Sequence, residues 1–212
     1  MTSLRERTRT ETVVLVLKVW ASMIYFPVCL FFAFLHTISS EEGDGEIALI
    51  FWALFVAPFI IRQFTLQKRR RALNSVVAAV SGEEFMPQKG NVIISGNRTY
   101  LGVDAIRGTL LYVSMRRKGE YDVMGMDMSS WTRVEYKGDV ITLKTKNPEL
   151  PSVSVDAPGG EKYSAALYDV ICAMEHRQYA DLQFPQKAHV RARNARKETG
   201  LTVFSTPDTP SR

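Results

Sequence analysis

The stretches 13–35 (VVLVLKVWASMIYFPVCLFFAFL) and 47–66 (IALIFWALFVAPFIIRQFTL) decide the fold of this chain. A helix needs about 20 mostly apolar residues to cross the hydrocarbon core of a bilayer, and each stretch is that long. The segment that joins them, 36–46, carries acidic residues and no Lys or Arg. The sequence therefore predicts a hairpin of two transmembrane helices over 13–66, with a short acidic external loop at 36–46.

Basic residues flank this predicted hairpin at its two open ends. Arg5, Arg7 and Arg9 precede the first stretch, and Lys68, Arg69, Arg70 and Arg71 follow the second. Lys and Arg close to a span are retained on the cytoplasmic side of the membrane. We therefore expect a multi-pass protein with both termini cytoplasmic. The N-terminal segment would be 1–12, and Lys68 to Arg71 would be basic residues at the membrane interface.

Two other interpretations of the apolar stretches remain open. A cleaved signal peptide has a shorter apolar core and ends at a small-x-small cleavage site, which the first stretch lacks. Two buried helices of a soluble protein would leave the charge asymmetry without a cause. Lys18 and Arg62 lie within the stretches and can extend their charges to the headgroups, or contact another membrane protein.

The overall charge and the cysteines bound the possible partners and the compartment. The formal net charge is +5, and much of the excess lies beside the apolar stretches and near the C-terminus. This placement favours membrane lipids over nucleic acid as a partner. Cys29 and Cys172 lie in different predicted elements, so we expect no disulfide framework, as suits a reducing cytoplasm.

The hydrophobic period changes after the hairpin. Residues 67–84 keep a helical apolar stripe, which either continues the second helix or forms a short connector helix that ends at Gly82. Short β-branched and aromatic segments with turn residues between them follow over 91–156. Residues 161–184 return to helical spacing. This order predicts an α+β cytoplasmic domain over 85–184, an antiparallel barrel or sandwich of about seven strands capped by a C-terminal helix.

Two basic runs outside the hairpin are candidate contacts for a partner or for lipid. Arg116, Arg117 and Lys118 fall at a predicted turn between strands, where a solvated hairpin tip is the simpler interpretation. Arg191 and Arg193 lie in the basic tail 185–212, which has no sustained apolar period and is predicted to be disordered or loosely docked.

The sequence contains no pattern typical of catalysis or cofactor binding. His36, His176 and His189 are scattered, and no two share a metal-ligand spacing. A nucleophile elbow and a phosphate-binding loop are both missing from the sequence. We therefore predict no enzyme activity, no cofactor, no metal and no small-molecule substrate, with a membrane-bound enzyme as the remaining alternative.

The order of short strands over 91–156 followed by a helix over 161–184 resembles a pleckstrin-homology-like (PH-like) domain. A two-span membrane hairpin before such a domain resembles the bacterial PH-like membrane proteins. Phosphoinositide-binding members carry basic residues around the loop between their first two strands, and that turn here, 96–98, has one, Arg98. This resemblance implies a general membrane-tethered scaffold or a module that senses anionic lipid.

The N-terminal sequence TSLRERTRTETVVLVLKVWASMIYFPVCLFF, together with the basic hairpin and the cytoplasmic domain, resembles entry-exclusion proteins of IncI-type conjugative plasmids. The resemblance implies a non-enzymatic protein of the bacterial inner membrane in the recipient cell. Such a protein blocks redundant DNA transfer by recognising a membrane protein of the donor's transfer apparatus, and the resemblance assigns no site residues. The contact would involve either the external loop and spans or a donor component delivered to the cytoplasmic side.

Overall fold

The computed structural model describes residues 9–39, 44–148, 150–180 and 183–205. Parts of the predicted segments 1–12, 36–46 and 185–212 therefore lie outside the described residues. The chain divides into two compact units, which meet between Gln67 and Lys68.

Two long helices open the chain. Helix α1 spans Arg9–Ile38 and helix α2 spans Asp44–Ser81. Helix α2 runs without a break through the predicted connector, so the first of the two alternatives for 67–84 is correct. Residues 67–81 contain no Gly or Pro, and Gly82, at φ +63°, follows the helix in the left-handed conformation that commonly ends helices.

Within the N-terminal unit, aromatic side chains join α1 to the first half of α2. The Tyr25 hydroxyl donates a hydrogen bond to the Leu54 carbonyl at 2.7 Å. The Phe26 ring packs against Phe55 at 5.8 Å between centroids, and the Phe32 ring stacks on Phe51 at 5.2 Å. Contacts further along α1 fall earlier on α2, so the two helices pack antiparallel.

One helix among the described residues, Gly45–Ser81, is long and apolar enough to cross a membrane, and Met23–Ile38 is a shorter apolar helical stretch. Large apolar side chains on both helices are exposed, such as Met23 at 68%, Leu49 at 70% and Ile61 at 64%. Apolar surface of this extent is unfavourable in water, and the long apolar helix Gly45–Ser81 is compatible with association with a membrane.

The second unit contains eight strands, two further α-helices and a short 3-10 helix, Lys89–Asn91, among the described residues. The strands are β1 (Val92–Ser95), β2 (Thr99–Asp104), β3 (Thr109–Arg117), β4 (Glu120–Met126), β5 (Trp131–Lys137), β6 (Val140–Thr145), β7 (Ser152–Asp156) and β8 (Thr202–Ser205). The helices are α3 (Glu161–Glu175) and α4 (Phe184–Thr199).

These strands form two sheets, ordered β1-β2-β3-β4-β8 and β5-β6-β7. All neighbours are antiparallel except β4 and β8, which are parallel, with Tyr121 opposite Val203. The sequence predicted a barrel or a sandwich, and the described strands form two separate sheets without closing into a barrel. The second edge of β4 is occupied by β8, so β5 cannot pair there and begins a separate sheet.

Two apolar cores lie on opposite faces of the five-stranded sheet. One includes side chains from both sheets and α3, such as Leu101, Leu143 and Ile171. The other lies between the sheet and the last turns of α2 together with α4, and includes Leu73 and Ala192. The five-stranded sheet is therefore covered on both faces, which explains the continuous burial along β2.

The prediction for the C-terminal region was wrong in two respects. The predicted helix 161–184 ends at Glu175, and much of the supposedly disordered tail forms α4 and β8. Helix α4 covers the sheet with a narrow stripe of small buried residues, Ala188, Ala192 and Ala195, while charged residues fill its other faces. Alanine is only weakly hydrophobic, so a stripe of alanines gives no clear apolar period in the sequence, and this segment was interpreted as polar.

Candidate functional site

A partly buried cluster of three charged side chains joins α4 to the segment that follows α2. The Glu84 carboxylate accepts hydrogen bonds from Lys187 Nζ at 2.9 Å and from Arg191 Nη2 at 2.6 Å. Arg191 Nη1 also donates to the Ser81 carbonyl at 3.1 Å, which satisfies a carbonyl in the last turn of α2. The Arg191 guanidinium, a candidate contact in the sequence, is thus engaged in holding two elements together.

The charge of Glu84 reflects this environment. Hydrogen bonds from Lys187 and then Arg191 lower the pKa of Glu84 to about 2, while its partial burial acts in the opposite direction. The side chain is 18% exposed, so solvent screens the pair only in part. The Glu84 carboxylate is therefore ionised at physiological pH, and its contacts with α4, called the Glu84 clasp below, hold these two parts of the unit together.

Three basic residues lie at the β3–β4 turn: two of them end strand β3 and the third, Lys118, is the first residue of the turn. Arg116, Arg117 and Lys118 are exposed, and the strand register shifts between Met115 and Arg117. Gly119 follows at φ +84°, in the left-handed region that glycine adopts without strain.

This turn also lies beside the last strand. The guanidinium carbon of Arg116 is 6.0 Å from the centroid of the Phe204 ring on β8, at the outer limit of a cation–π interaction. Asp122 on β4 lies opposite Phe204 in the strand register. Burial raises the pKa of Asp122, the Arg116 charge lowers it, and the Glu120 charge raises it.

The basic run on α2 begins close to the same turn. Lys68, Arg70 and Arg71 are exposed, whereas Arg69 is half-buried. Tyr121 on β4 and Leu73, one turn after Arg69, belong to the same apolar core, which places Arg69 in the neighbourhood of Tyr121. In agreement with this, the positive charge of Arg69 lowers the pKa of Tyr121, while burial raises it. Since Tyr121 pairs with Met115, Arg69 lies near the end of β3 that carries the basic turn.

The end of α4 reaches this turn as well. Arg196 and Lys197 lie in the last turn of α4, and Arg193 is exposed one turn earlier. The helix ends at Gly200, and the Thr202 amide donates a hydrogen bond to the Gly119 carbonyl at 2.9 Å. The structure thus brings the predicted residues of α2, the β3–β4 turn and α4 to one end of the unit, with the exception of Arg191.

Sequence reasoning missed two acidic residues that organise this unit, Glu84 and Asp104. Asp104 is 1% exposed, and its carboxylate accepts hydrogen bonds from the backbone amides of Met86, Ile106 and Arg107 at 2.8, 3.0 and 3.1 Å. An Asp at the start of a turn that ends in Gly is a signal for the two local bonds. The bond to Met86 could not be read from the sequence.

A shallow cavity of about 600 Å³ lies beside this turn, lined in part by Arg107, Asp127 and Tyr179. Its polar groups are engaged in local contacts: Asp127 Oδ1 accepts from the Ser129 amide at 2.9 Å, and the Tyr179 hydroxyl donates to the Ala105 carbonyl. Among the described residues, no three His, Cys, Asp or Glu side chains are placed to hold a metal ion.

The family whose description is "Exclusion-determining protein" matches residues 1–200 of the chain. This match covers nearly the whole sequence, and the chain belongs to that family. The resemblance to entry-exclusion proteins is thereby confirmed. Comparisons with curated proteins and with solved structures give no match.

Proposed function

We propose that this protein blocks redundant conjugative DNA transfer into a plasmid-bearing recipient by recognising a membrane protein of the donor's transfer apparatus. Membership of the exclusion-determining family carries the proposal, because it supports a role in entry exclusion in general. That family description also fits a non-catalytic function, in line with the lack of a catalytic pattern in the sequence.

The proposed location is the bacterial inner membrane, with both α1 and α2 as spans and both termini cytoplasmic. Support comes from the exposed apolar side chains on both helices and from their antiparallel aromatic contacts. Arg9 and the run Lys68 to Arg71 flank the apolar stretches, as the retention of Lys and Arg on the cytoplasmic side requires.

The proposed relationship of the second unit to PH-like domains rests on element order alone. Seven strands, β1 to β7, precede helix α3, which is the order expected of such a domain. The addition of α4 and β8 and the separation into two sheets distinguish this unit from a simple capped barrel.

A mating experiment tests the exclusion role. Recipient cells that express the full chain alone should receive a related conjugative plasmid less often than cells with the empty vector. Transfer of an unrelated plasmid into the same cells serves as the control and should be unchanged. Equal transfer of both plasmids at a verified level of the protein would refute the proposal.

Cysteine accessibility tests the proposed topology. In a Cys29→Ala, Cys172→Ala background, Ser39→Cys after α1 and Ser75→Cys on α2 each provide one exposed thiol. A membrane-impermeant maleimide should label Ser39→Cys in cells whose outer membrane alone is permeabilised, and Ser75→Cys only after the inner membrane is opened. Equal labelling of both in the first condition would contradict cytoplasmic termini.

A further inference from the structure

We propose that one end of the second unit binds the anionic headgroups of a lipid bilayer. This surface, called the basic end, consists of the basic side chains on α2, the β3–β4 turn and α4: Lys68, Arg69, Arg70, Arg71, Arg116, Arg117, Lys118, Arg193, Arg196 and Lys197. The inference goes beyond plasmid exclusion and does not depend on it.

The basic end is assembled by contacts between elements that are far apart in the sequence. The hydrogen bond from the Thr202 amide to the Gly119 carbonyl fixes the exit of α4 at the β3–β4 turn. Tyr121, which pairs with Met115 near the same turn, shares an apolar core with α2, and this places the start of the basic run on α2 beside the turn. Leu73, one turn further along α2, is fully buried against the sheet, so the position of this run is held by the core.

The sign of the charge at this end is strongly biased. Its acidic residues are Glu120, which lies opposite Arg117 in the strand register, Asp122, which lies near Arg116, and Glu198 on α4. Nine of its ten basic side chains, all but Arg69, are exposed. A surface with several solvent-exposed cations on adjacent elements attracts an anionic surface through the sum of their charges.

The dipole of α4 explains the basic residues at the end of that helix, but not the other basic residues of this surface. Arg196 and Lys197 complement the negative end of α4, as basic residues in the last turn of a helix commonly do. The dipole gives no reason for three consecutive cations in the β3–β4 turn, or for four on α2 before its buried turns begin.

A bilayer is the ligand that the sequence neighbours of this surface favour. Lys68 directly follows the apolar stretch 47–66 and Gln67 within one continuous helix, and a basic cluster next to an apolar span is typical of contact with anionic headgroups. Phe204, 44% exposed beside Arg116, supplies an apolar ring of the kind that enters the interfacial region.

The chain offers a matched control for this surface. The β3–β4 turn reads Lys118-Gly119-Glu120, and the β5–β6 turn in the other sheet reads Lys137-Gly138-Asp139. Both glycines have positive φ, +84° and +60°, and both lysines are exposed. Lys118 is the first residue of its turn and Lys137 is the last residue of β5, so a charge reversal at either position is the same chemical change at an exposed hairpin end, directly before a glycine with positive φ.

Hydrogen–deuterium exchange of the full chain in lipid nanodiscs tests the proposal. We expect amides of 117–120 and 198–203 to exchange more slowly in discs that contain phosphatidylglycerol than in discs of phosphatidylcholine alone. Amides of 137–140 should exchange equally in both. The difference should diminish at high salt, because screening weakens contacts between exposed charges.

Charge reversal provides the second arm. Lys118→Glu combined with Arg117→Glu should abolish the protection by phosphatidylglycerol, and Lys137→Glu should preserve it. A thermal melt of each variant in detergent shows whether the unit is folded. If the double variant fails to fold, Lys68→Gln combined with Arg70→Gln, both exposed on α2, replaces it.

The outcomes separate the possible ligands. Equal exchange in the two kinds of disc, or protection that persists after charge reversal in a folded variant, would overturn the proposal. Protection by soluble polyglutamate but not by phosphatidylglycerol would overturn it in favour of an acidic protein partner. A positive result together with unimpaired plasmid transfer would leave lipid binding standing while removing the exclusion role.

Discussion

Gly125 on β4 faces Ala188 on α4 so closely that a Cβ atom added at Gly125 would come within 2.5 Å of the Ala188 Cβ. No side chain can occupy this position without movement of the helix away from the sheet. The contact explains why α4, although polar by composition, is seated directly on the central part of the unit: two small residues let the backbones approach.

We therefore expect Gly125→Ala to lower the free energy of unfolding of this unit by about 1–3 kcal/mol, the usual effect of overpacking a core. Gly90→Ala is the control, because a Cβ at Gly90 meets no atom within 4 Å and its φ is not positive. Thermal unfolding in mild detergent measures both. A Gly125→Ala melt equal to that of Gly90→Ala would show that α4 does not pack as described.

The Glu84 clasp predicts a specific dependence on pH. Because the folded-state pKa of Glu84 is lowered to about 2 from 4.5, its stabilising effect is complete above pH 4.5 and is lost as the pH falls toward 2. Partial exposure limits the effect to about 1 kcal/mol. Glu84→Gln should therefore destabilise the unit at pH 7 and nearly match the wild type at the acid end of this range.

Removal of the basic partner tests the same clasp from the other side. Arg191→Met should lower the melting temperature at pH 7, since it leaves Glu84 with Lys187 alone and the Ser81 carbonyl without its donor. Arg193→Met, on an exposed position of the same helix, should have little effect. If both substitutions lowered the melting temperature equally, the total charge on α4, and not the contacts of Glu84, would determine the stability.

The C-terminal elements should be indispensable for the second unit. A chain that ends at Gln183 lacks α4 and β8, and so uncovers Tyr121 and Val123, each 2% exposed in the intact unit. We expect this chain to be degraded or aggregated in cells, whereas one that ends at Ser205 should accumulate normally. Immunoblots of membrane fractions measure the amounts of the two chains. Equal amounts would indicate that the residues after Gln183 contribute nothing to the stability of the unit.

Asp104 should be among the most sensitive acidic positions. Asp104→Ala leaves the amides of Met86 and Ile106 without their carboxylate acceptor in a nearly inaccessible site. We expect a loss of about 2–3 kcal/mol in the free energy of unfolding, the usual result of unsatisfied buried donors. Asp139→Ala, at the exposed β5–β6 turn, provides the comparison and should change stability by less than about 0.5 kcal/mol.

Elements with a strong period were predictable from the sequence. The apolar stretches mark α1 and α2, and the alternation of Val134 and Glu135 or of Leu143 and Lys144 marks the β5–β6 hairpin with one buried face. Gly82 marks the end of α2. In each case the signal is local, because a single element's own residues determine which of its faces is buried.

The rest depends on partners that the local sequence does not contain. The alanine stripe of α4 becomes a core only because Gly125 and its neighbours leave space for it. The four residues of β8 carry too little pattern to indicate a strand, and its parallel pairing with β4 is a tertiary event. The basic end likewise depends on the hydrogen bond between Gly119 and Thr202, which brings the end of α4 to the β3–β4 turn. No spacing in the sequence predicts this bond.

The parallel pairing of β8 with β4 has a consequence for the order of events during synthesis. The ribosome makes β4 about 80 residues before β8, so the outer edge of β4 stays unpaired until residue 205 has emerged. Unpaired strand edges are templates for association with other chains. The nascent protein would therefore be most in need of a chaperone in this interval, after its apolar helices have left the exit tunnel and before its final strand is available.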